Sequence, residues 1–343
     1  MRFRLHALIT ALVAVSMLVV VPAEAEDTAN SSIKSTEVTF TVQNVNHSKL
    51  ACPSDGGTYH VVGTLVTPAE IPKSVTLWIH NAIGNRNTFM VPIRNYHFAN
   101  EMAKLGHAGL YIDQLGYGKS DKPANGHLVC PGSEATVMYQ VMEHLRSGNY
   151  EGDAHPAFEK VAVGGFSIGA WQTELIGVSF PNVDGIIPIG GMSAFVSPEA
   201  PPDVVNSMSR ECSTGSYFHF ATAEKRNYWA IYEPNVDQDV KEWWTKNAYG
   251  SDPCGIWEWI MASTATVDAV GPAANPDLKV LVVLGDKDRI LPPPNGHVQV
   301  ARFLNSHDVS LLTMPDTGHA VMLERNAPMF RQQLHLWMVQ RGL

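Results

Sequence analysis

Apolar residues along this chain fall into short runs, separated by polar stretches that carry glycine and proline. Val38 to Val45 and Tyr59 to Val66 alternate or cluster β-branched residues, the pattern of an N-terminal antiparallel hairpin. Ser74 to His80, Ala108 to Asp113, Lys160 to Phe166, Asp184 to Ile189 and Leu278 to Leu284 are largely apolar throughout. Strands buried on both faces of a parallel sheet read this way. Tyr96 to Leu105, Glu134 to Arg146 and Ile168 to Phe180 carry helical patterning between them, while Val309 to Met314 predicts a last strand and Ala327 to Arg341 a last helix. Strands alternating with helices predict an α/β fold with a mostly parallel, doubly wound sheet.

One interval breaks that rhythm. Between Gly190 and Leu278 no clear strand is visible, and five of the chain's eight tryptophans fall there, with Tyr217, Phe218, Phe220, Tyr228 and Tyr232. A bare loop of that length is improbable in a folded domain. The pattern predicts a mainly helical cap inserted at 192–275, between core segments at 37–191 and 276–343. At the N-terminus, Arg2 and Arg4 precede an apolar run from Ala7 to Val21 and an A-x-A site at Ala23-Glu24-Ala25. This predicts a signal peptide over 1–25, since a membrane span needs roughly twenty apolar residues. A polar, flexible leader follows over 26–36. The mature protein is expected to be secreted or periplasmic, with no span left after signal removal.

Composition changes the picture only in places. The chain has 343 residues, 45% hydrophobic, enough for a large core. A formal net charge of −9 argues against nucleic acid or an anionic membrane surface as partner. Cys52, Cys130, Cys212 and Cys254 form an even set, as two disulfides in an exported chain would. Four cysteines allow three pairings; Cys212 with Cys254 inside the cap, and Cys52 with Cys130 pinning the hairpin to the main sheet, is the expected one. Asn30-Ser31-Ser32 and Asn46-His47-Ser48 are glycosylation sequons. There is no H-E-x-x-H and no cofactor fingerprint, so neither metal nor organic cofactor is implied. Gly118-Lys119-Ser120 imitates the end of a phosphate-binding loop, but Asp113 stands where the first glycine should be.

The chemistry centres on Gly165-Phe166-Ser167-Ile168-Gly169, which follows a predicted strand and opens a predicted helix. On such a turn a serine is lifted clear of the sheet, and glycines flank it because a Cβ there would collide with neighbouring elements. Ser167 is therefore the candidate nucleophile. It needs a base, and the base needs an orienting acid, from later strand ends. Gly285-Asp286-Lys287-Asp288 and Asp316-Thr317-Gly318-His319 follow the last two strands, in the order Ser, Asp, His. The N–H of Ile168 is an oxyanion donor by position.

From about Val38 to the C-terminus the chain resembles the α/β-hydrolase family. That resemblance implies Asp288, last in its Gly-x-x-Asp turn, as the acid, with Asp286 as rival, and His319 as the base. His297 and His335 fall within predicted helices, and His307 precedes a strand. His80-Asn81-Ala82-Ile83-Gly84 is similar to the family's His-Gly-x-x-Gly signature, which implies the Ala82 N–H as second oxyanion donor. Asn81 departs from the usual glycine; asparagine tolerates positive φ, and its side chain could face the substrate. Trp171, one turn after Ser167, lines the pocket or packs in the core. Asp113-Gln114-Leu115-Gly116-Tyr117-Gly118-Lys119-Ser120 resembles the family's structural Asp-x-x-Gly-x-Gly-x-Ser turn. The implied activity is cleavage of a carboxylic ester, small-molecule or polymeric, through an acyl-enzyme. Alternatives on the same triad are a lactonase, an amidase or a proline-iminopeptidase-like peptidase. The peptidase would hold a substrate amine with a cap acid such as Glu211, Glu224, Glu233 or Asp237. A non-catalytic binding module is the remaining alternative.

Overall fold

Eight strands form one sheet in the computed structural model, which describes residues 33–191, 209–219, 227, 230–247 and 250–343. They are β1 (Lys34–Gln43), β2 (Thr58–Thr67), β3 (Ser74–Ile79), β4 (Ala108–Ile112), β5 (Lys160–Phe166), β6 (Ile186–Ile189), β9 (Lys279–Gly285) and β10 (Asp308–Met314). Their spatial order is β1-β2-β4-β3-β5-β6-β9-β10. β1 pairs antiparallel with β2 and β2 with β4, and every later pairing is parallel.

Period-two alternation sorts the strand side chains between two cores. Val75, Leu77, Ile79, Leu110, Ile112, Val161, Val163, Val280 and Val282 face one core, with α2 (Pro131–Ser147) and α3 (Ile168–Ser179). Trp78, Tyr111, Ala162, Phe166, Leu281 and Val283 face the other, with α1 (Phe98–Lys104) and α8 (Ala327–Arg341). Helices on both faces explain why the parallel strands are apolar throughout. The chain leaves β3 toward β4 on one side and reaches β5 on the other. Ligands bind α/β sheets at such a reversal, outside the carboxyl ends of the strands.

The interval read as a helical cap holds more than helices. Tyr217–His219 (β7) and Ser251–Pro253 (β8) pair antiparallel in a separate two-stranded sheet. Around β8 lie α4 (Gln238–Asn247), α5 (Cys254–Glu258) and α6 (Ile260–Val270). α6 contributes Val267 to the first core, so the C-terminal part of the interval packs directly on the sheet layer. α7 (Asn295–Ala301) lies between β9 and β10. β1 starts at Lys34, so the leader stops short of 36. The signal peptide, the sequon at Asn30, and Phe220, Glu224, Tyr228 and Trp229 lie outside the described residues. Among the described residues no helix is long and apolar enough to cross a membrane, and no cluster could hold a metal ion.

Asn46, in the second sequon, is engaged: its Nδ2 donates to the carbonyls of Leu50 (2.7 Å) and Cys52 (2.9 Å), and its Oδ1 accepts the Ser48 N–H. Cys52 is bonded to Cys130, and Cys212 to Cys254. Cys130 caps the N-terminus of α2, so the first bridge ties the β1–β2 loop to a helix and not to the sheet. The bridges close loops of 78 and 42 residues. On the chain-entropy account these contribute about 4.5 and about 4 kcal/mol, as upper figures. Peptide mapping without reduction should therefore recover fragments joined 52–130 and 212–254. Breaking either bridge with paired serines should lower the melting temperature by several degrees. Free thiols at these positions, or a 52–212 link, would contradict the arrangement.

Candidate active site

Ser167 joins β5 to α3 with φ 58° and ψ −117°, a conformation that costs a non-glycine residue on the order of 1–3 kcal/mol. The flanking glycines make it attainable. A Cβ on Gly165 would stand 2.2 Å from the carbonyl oxygen of Gly169. One on Gly169 would stand 2.3 Å from that of Ile79 and 2.7 Å from that of His80. The first turn of α3 thus abuts the end of β3. The Ser167 N–H donates to the Ile189 carbonyl (2.9 Å), and the residue is partly exposed while its neighbours Phe166 and Ile168 are buried.

His319 and Asp288 come from the loops after β10 and β9. Asp288 Oδ1 accepts the N–H groups of Ile290 (2.8 Å) and Leu291 (2.9 Å), which leaves Oδ2 to meet His319 Nδ1 at 2.7 Å. A carboxylate can only accept, so Nδ1 carries the proton and Nε2 is the free base. Nε2 is buried and makes no hydrogen bond. The imidazole leans on Gly190, where a Cβ would stand 2.7 Å from its Cε1, and on the Phe166 ring at 5.0 Å. Gly190 follows the carbonyl that holds Ser167, so His319 and Ser167 share one strand end. Asp286 does other work: its Oδ1 accepts the Thr317 N–H (3.2 Å) and its Oδ2 meets Lys287. Of the other histidines, His335 bonds His107 (2.9 Å), while His297 lies in α7.

Sequence reasoning did not single out Glu324. It is fully buried and accepts the N–H groups of Gly318 (2.9 Å) and Tyr232 (2.8 Å), tying the His319 loop to the cap. Burial pushes its carboxyl up to about 7, against the pull of those two donors. A lone acid after the apolar Ala320-Val321-Met322-Leu323 was the only signal in the sequence.

The loop after β3 is held peptide by peptide. The Asn81 carbonyl accepts His80 Nδ1 (2.8 Å) and the Gly84 N–H (3.1 Å). A trans peptide is planar, so fixing that oxygen turns the Ala82 N–H the opposite way. Neither that N–H nor that of Ile168 has a backbone acceptor among the described residues. His80 Nε2 accepts the Gln114 N–H (3.2 Å), and full burial lowers the pKa of this imidazole. Positive φ falls on Ile83 (51°) and not on Asn81. The Asn81 side chain is turned into the loop: Oδ1 accepts the Thr88 hydroxyl (2.9 Å) and Nδ2 donates to the Ala82 carbonyl (2.9 Å). That corrects the expectation that it faces substrate. Trp171 is partly buried against the first core. Asp113 accepts the N–H groups of Arg86 (2.8 Å) and Lys119 (2.9 Å), the structural task expected of its turn.

Residues 85–332 match the model of the alpha/beta hydrolase family. The chain belongs to that family. No curated protein matches it. Among solved structures, this hydrolase is similar to an esterase from Thermogutta terrifontis, at 16% identity and TM-score 0.62, over 89% of this chain and 99% of that one. A soluble variant of monoglyceride lipase from Saccharomyces cerevisiae gives 12% and 0.64, over 88% and 97%. The enol-lactonase from Burkholderia xenovorans LB400 gives 13% and 0.61, over 82% and 97%. At such identities the likeness is one of fold.

Two more carboxyls of the hydrolase are buried, on α2 and α3. Glu174 on α3 bonds Arg302 (3.1 Å) and Gln299, and burial raises it to about 7. Glu134 is fully buried on α2, and desolvation pushes it up to about 8, opposed by the Leu115 N–H. A carboxyl raised above its ordinary 4.5 binds its proton more tightly folded than unfolded. Its ionisation therefore costs no stability below that value, and stability declines as pH rises toward about 8. Glu134→Gln should flatten the fall of unfolding free energy over that window by up to about 1.4 kcal/mol per pH unit. Urea melts at pH 5, 6.5 and 8 read the slope directly; equal slopes in both proteins would refute a raised Glu134.

Proposed function

We propose that this protein is a serine hydrolase that cleaves a carboxylic ester through an acyl-enzyme. The observation that carries the reading is the His319 imidazole, held by Asp288 at Nδ1 and left unpartnered at Nε2 beside the strand end that bears Ser167. In this reading Nε2 takes the Ser167 proton as Oγ attacks the ester carbonyl. The N–H groups of Ile168 and Ala82 receive the negative charge that develops on the carbonyl oxygen. The imidazolium, stabilised by Asp288, returns the proton to the leaving alcohol. His319 then deprotonates water, which attacks the acyl-serine and releases the acid.

Ester cleavage is preferred to aminopeptidase action because the described cap acids are engaged elsewhere. Glu211 accepts the His219 N–H (2.9 Å), Glu233 pairs with Lys241 (2.6 Å), and Asp237 bonds Tyr96 (2.6 Å) and Arg325 (2.7 Å). Lactones and amides would need no different triad. An N-terminal stretch with the pattern of a signal peptide, together with two disulfides, supports export.

Ser167→Ala should lower kcat by several orders of magnitude with little change in melting temperature, and a fluorophosphonate should label Ser167 alone. Activity retained in that variant would reject the mechanism. Asp288→Asn should cost roughly 10⁴ in kcat, as loss of the orienting acid does in other triads, and Asp286→Asn far less. The reverse ranking would move the acid to Asp286. On a panel of short and long acyl esters, lactones and aminoacyl amides, esters should be turned over best; turnover of aminoacyl amides alone would favour the peptidase.

A further inference from the structure

Asp252, on β8, stands 169 residues from the loop after β3, yet its carboxylate reaches into that loop. The residue is fully buried. Its Oδ1 accepts the Ile83 N–H at 2.6 Å and its Oδ2 accepts the Trp257 indole N–H at 2.8 Å. The Tyr117 hydroxyl, from the Asp-x-x-Gly-x-Gly turn, favours the charged form of the same carboxylate. Two donors, one from the loop after β3 and one from α5, therefore converge on one acid of the cap interval.

What they hold is the strained part of the loop. Ile83 is β-branched and has φ 51°, a conformation that persists only where neighbours over-determine it. The Ala82–Ile83 peptide is gripped at both ends, its carbonyl by Asn81 Nδ2 and its N–H by Asp252. Gly250 closes on the same residue, since a Cβ there would stand 2.7 Å from the Ile83 carbonyl oxygen. β8 is itself fixed, because Cys254 is bridged to Cys212 and its N–H donates to the Ser216 carbonyl (3.0 Å). Burial moves the Asp252 carboxyl up to about 6, against the pull of its donors.

We propose that Asp252 is a positioning residue for the reaction: by holding the Ala82–Ile83 peptide it fixes the far side of Ala82, so that the preceding Asn81–Ala82 peptide cannot turn and its N–H stays aimed at the developing oxyanion. The oxyanion site then depends on a strand of the cap interval, through one carboxylate that touches no substrate. This rests on the serine hydrolase reading and adds to it a residue that no motif marks. A carboxylate that merely packed would govern folding alone. One that aims an oxyanion donor governs the transition state more than the bound ester.

The test is a graded series in the full-length protein. Asp252→Asn keeps one oxygen for the Ile83 N–H but loses the charge, and should lower kcat about tenfold. Asp252→Ala should lower it about a hundredfold or more, the scale of losing one oxyanion donor. KM should stay within about threefold, and the affinity for phenylboronic acid, a tetrahedral probe, should fall in step with kcat. Should the alanine chain fail to fold, the asparagine variant carries the same comparison at its own tenfold. A folded variant with unchanged kcat and boronate affinity, or a loss confined to KM, would overturn the role. If Ser167→Ala abolishes activity while the Asp252 series stays flat, this inference alone falls. If Ser167→Ala stays active, the serine reading falls first.

Discussion

The contact of Gly169 with the carbonyls of Ile79 and His80 is the constraint from which the rest of the site follows. It sets the first turn of α3 directly against the end of β3. That brings the turn carrying Ser167 and the loop carrying Ala82 side by side, at the point where strand order reverses. A single methyl group at residue 169 would push them apart. The strained Ser167 backbone is tolerable for the same reason, because its N–H is taken by Ile189 and its neighbours leave no room to relax.

Around that contact the molecule fixes peptides more than side chains. Asp288 uses one oxygen on two backbone N–H groups before it meets His319. Glu324 takes the N–H groups of Gly318 and Tyr232, and Asp252 takes that of Ile83. Each acid holds a loop that ends a strand, where no sheet hydrogen bonds remain to do so. Burial raises the carboxyls of Glu324 and Asp252 even with these donors present, so ionised acceptors at such positions carry a desolvation cost. The cost is tolerated where a loop must not drift.

Much of this was legible in the sequence because parallel strands must be apolar on both faces, which gives runs that stand out. Lys160–Phe166 and Ala327–Arg341 are read from pattern with their observed bounds. Short strands carry no such signal: Tyr217–His219 and Ser251–Pro253 are too brief to display a period. The packing of α6 on the first core, through Ala262 and Val267, has no such signal either, because the aromatic-rich stretch runs into it. The asparagine in place of glycine drew attention to Asn81. The positive φ instead falls two residues later, at Ile83, where an acid 169 residues distant holds the N–H. Long-range acceptors such as Asp252 and Glu324 leave no local pattern, because what defines them is the backbone they meet and not their neighbours in the chain.

The described aromatics of the cap interval follow the same logic. Trp244 belongs to the second core and Trp259 packs against the first. Trp257 donates to Asp252, and Tyr217 donates to the Pro123 carbonyl (2.6 Å) while Lys122 stands over its ring. Tyr232 gives its backbone N–H to Glu324. Tyr217, Tyr232, Trp244 and Trp259 tie the interval to the rest of the chain, while Trp257 braces β8 from within it. The Cys212–Cys254 bridge acts inside the interval, joining the segment before β7 to the start of α5. In the proposed mechanism the interval's part is to fix the loop after β3 through Asp252 and the loop after β10 through Tyr232, more than to stand as a lid above them.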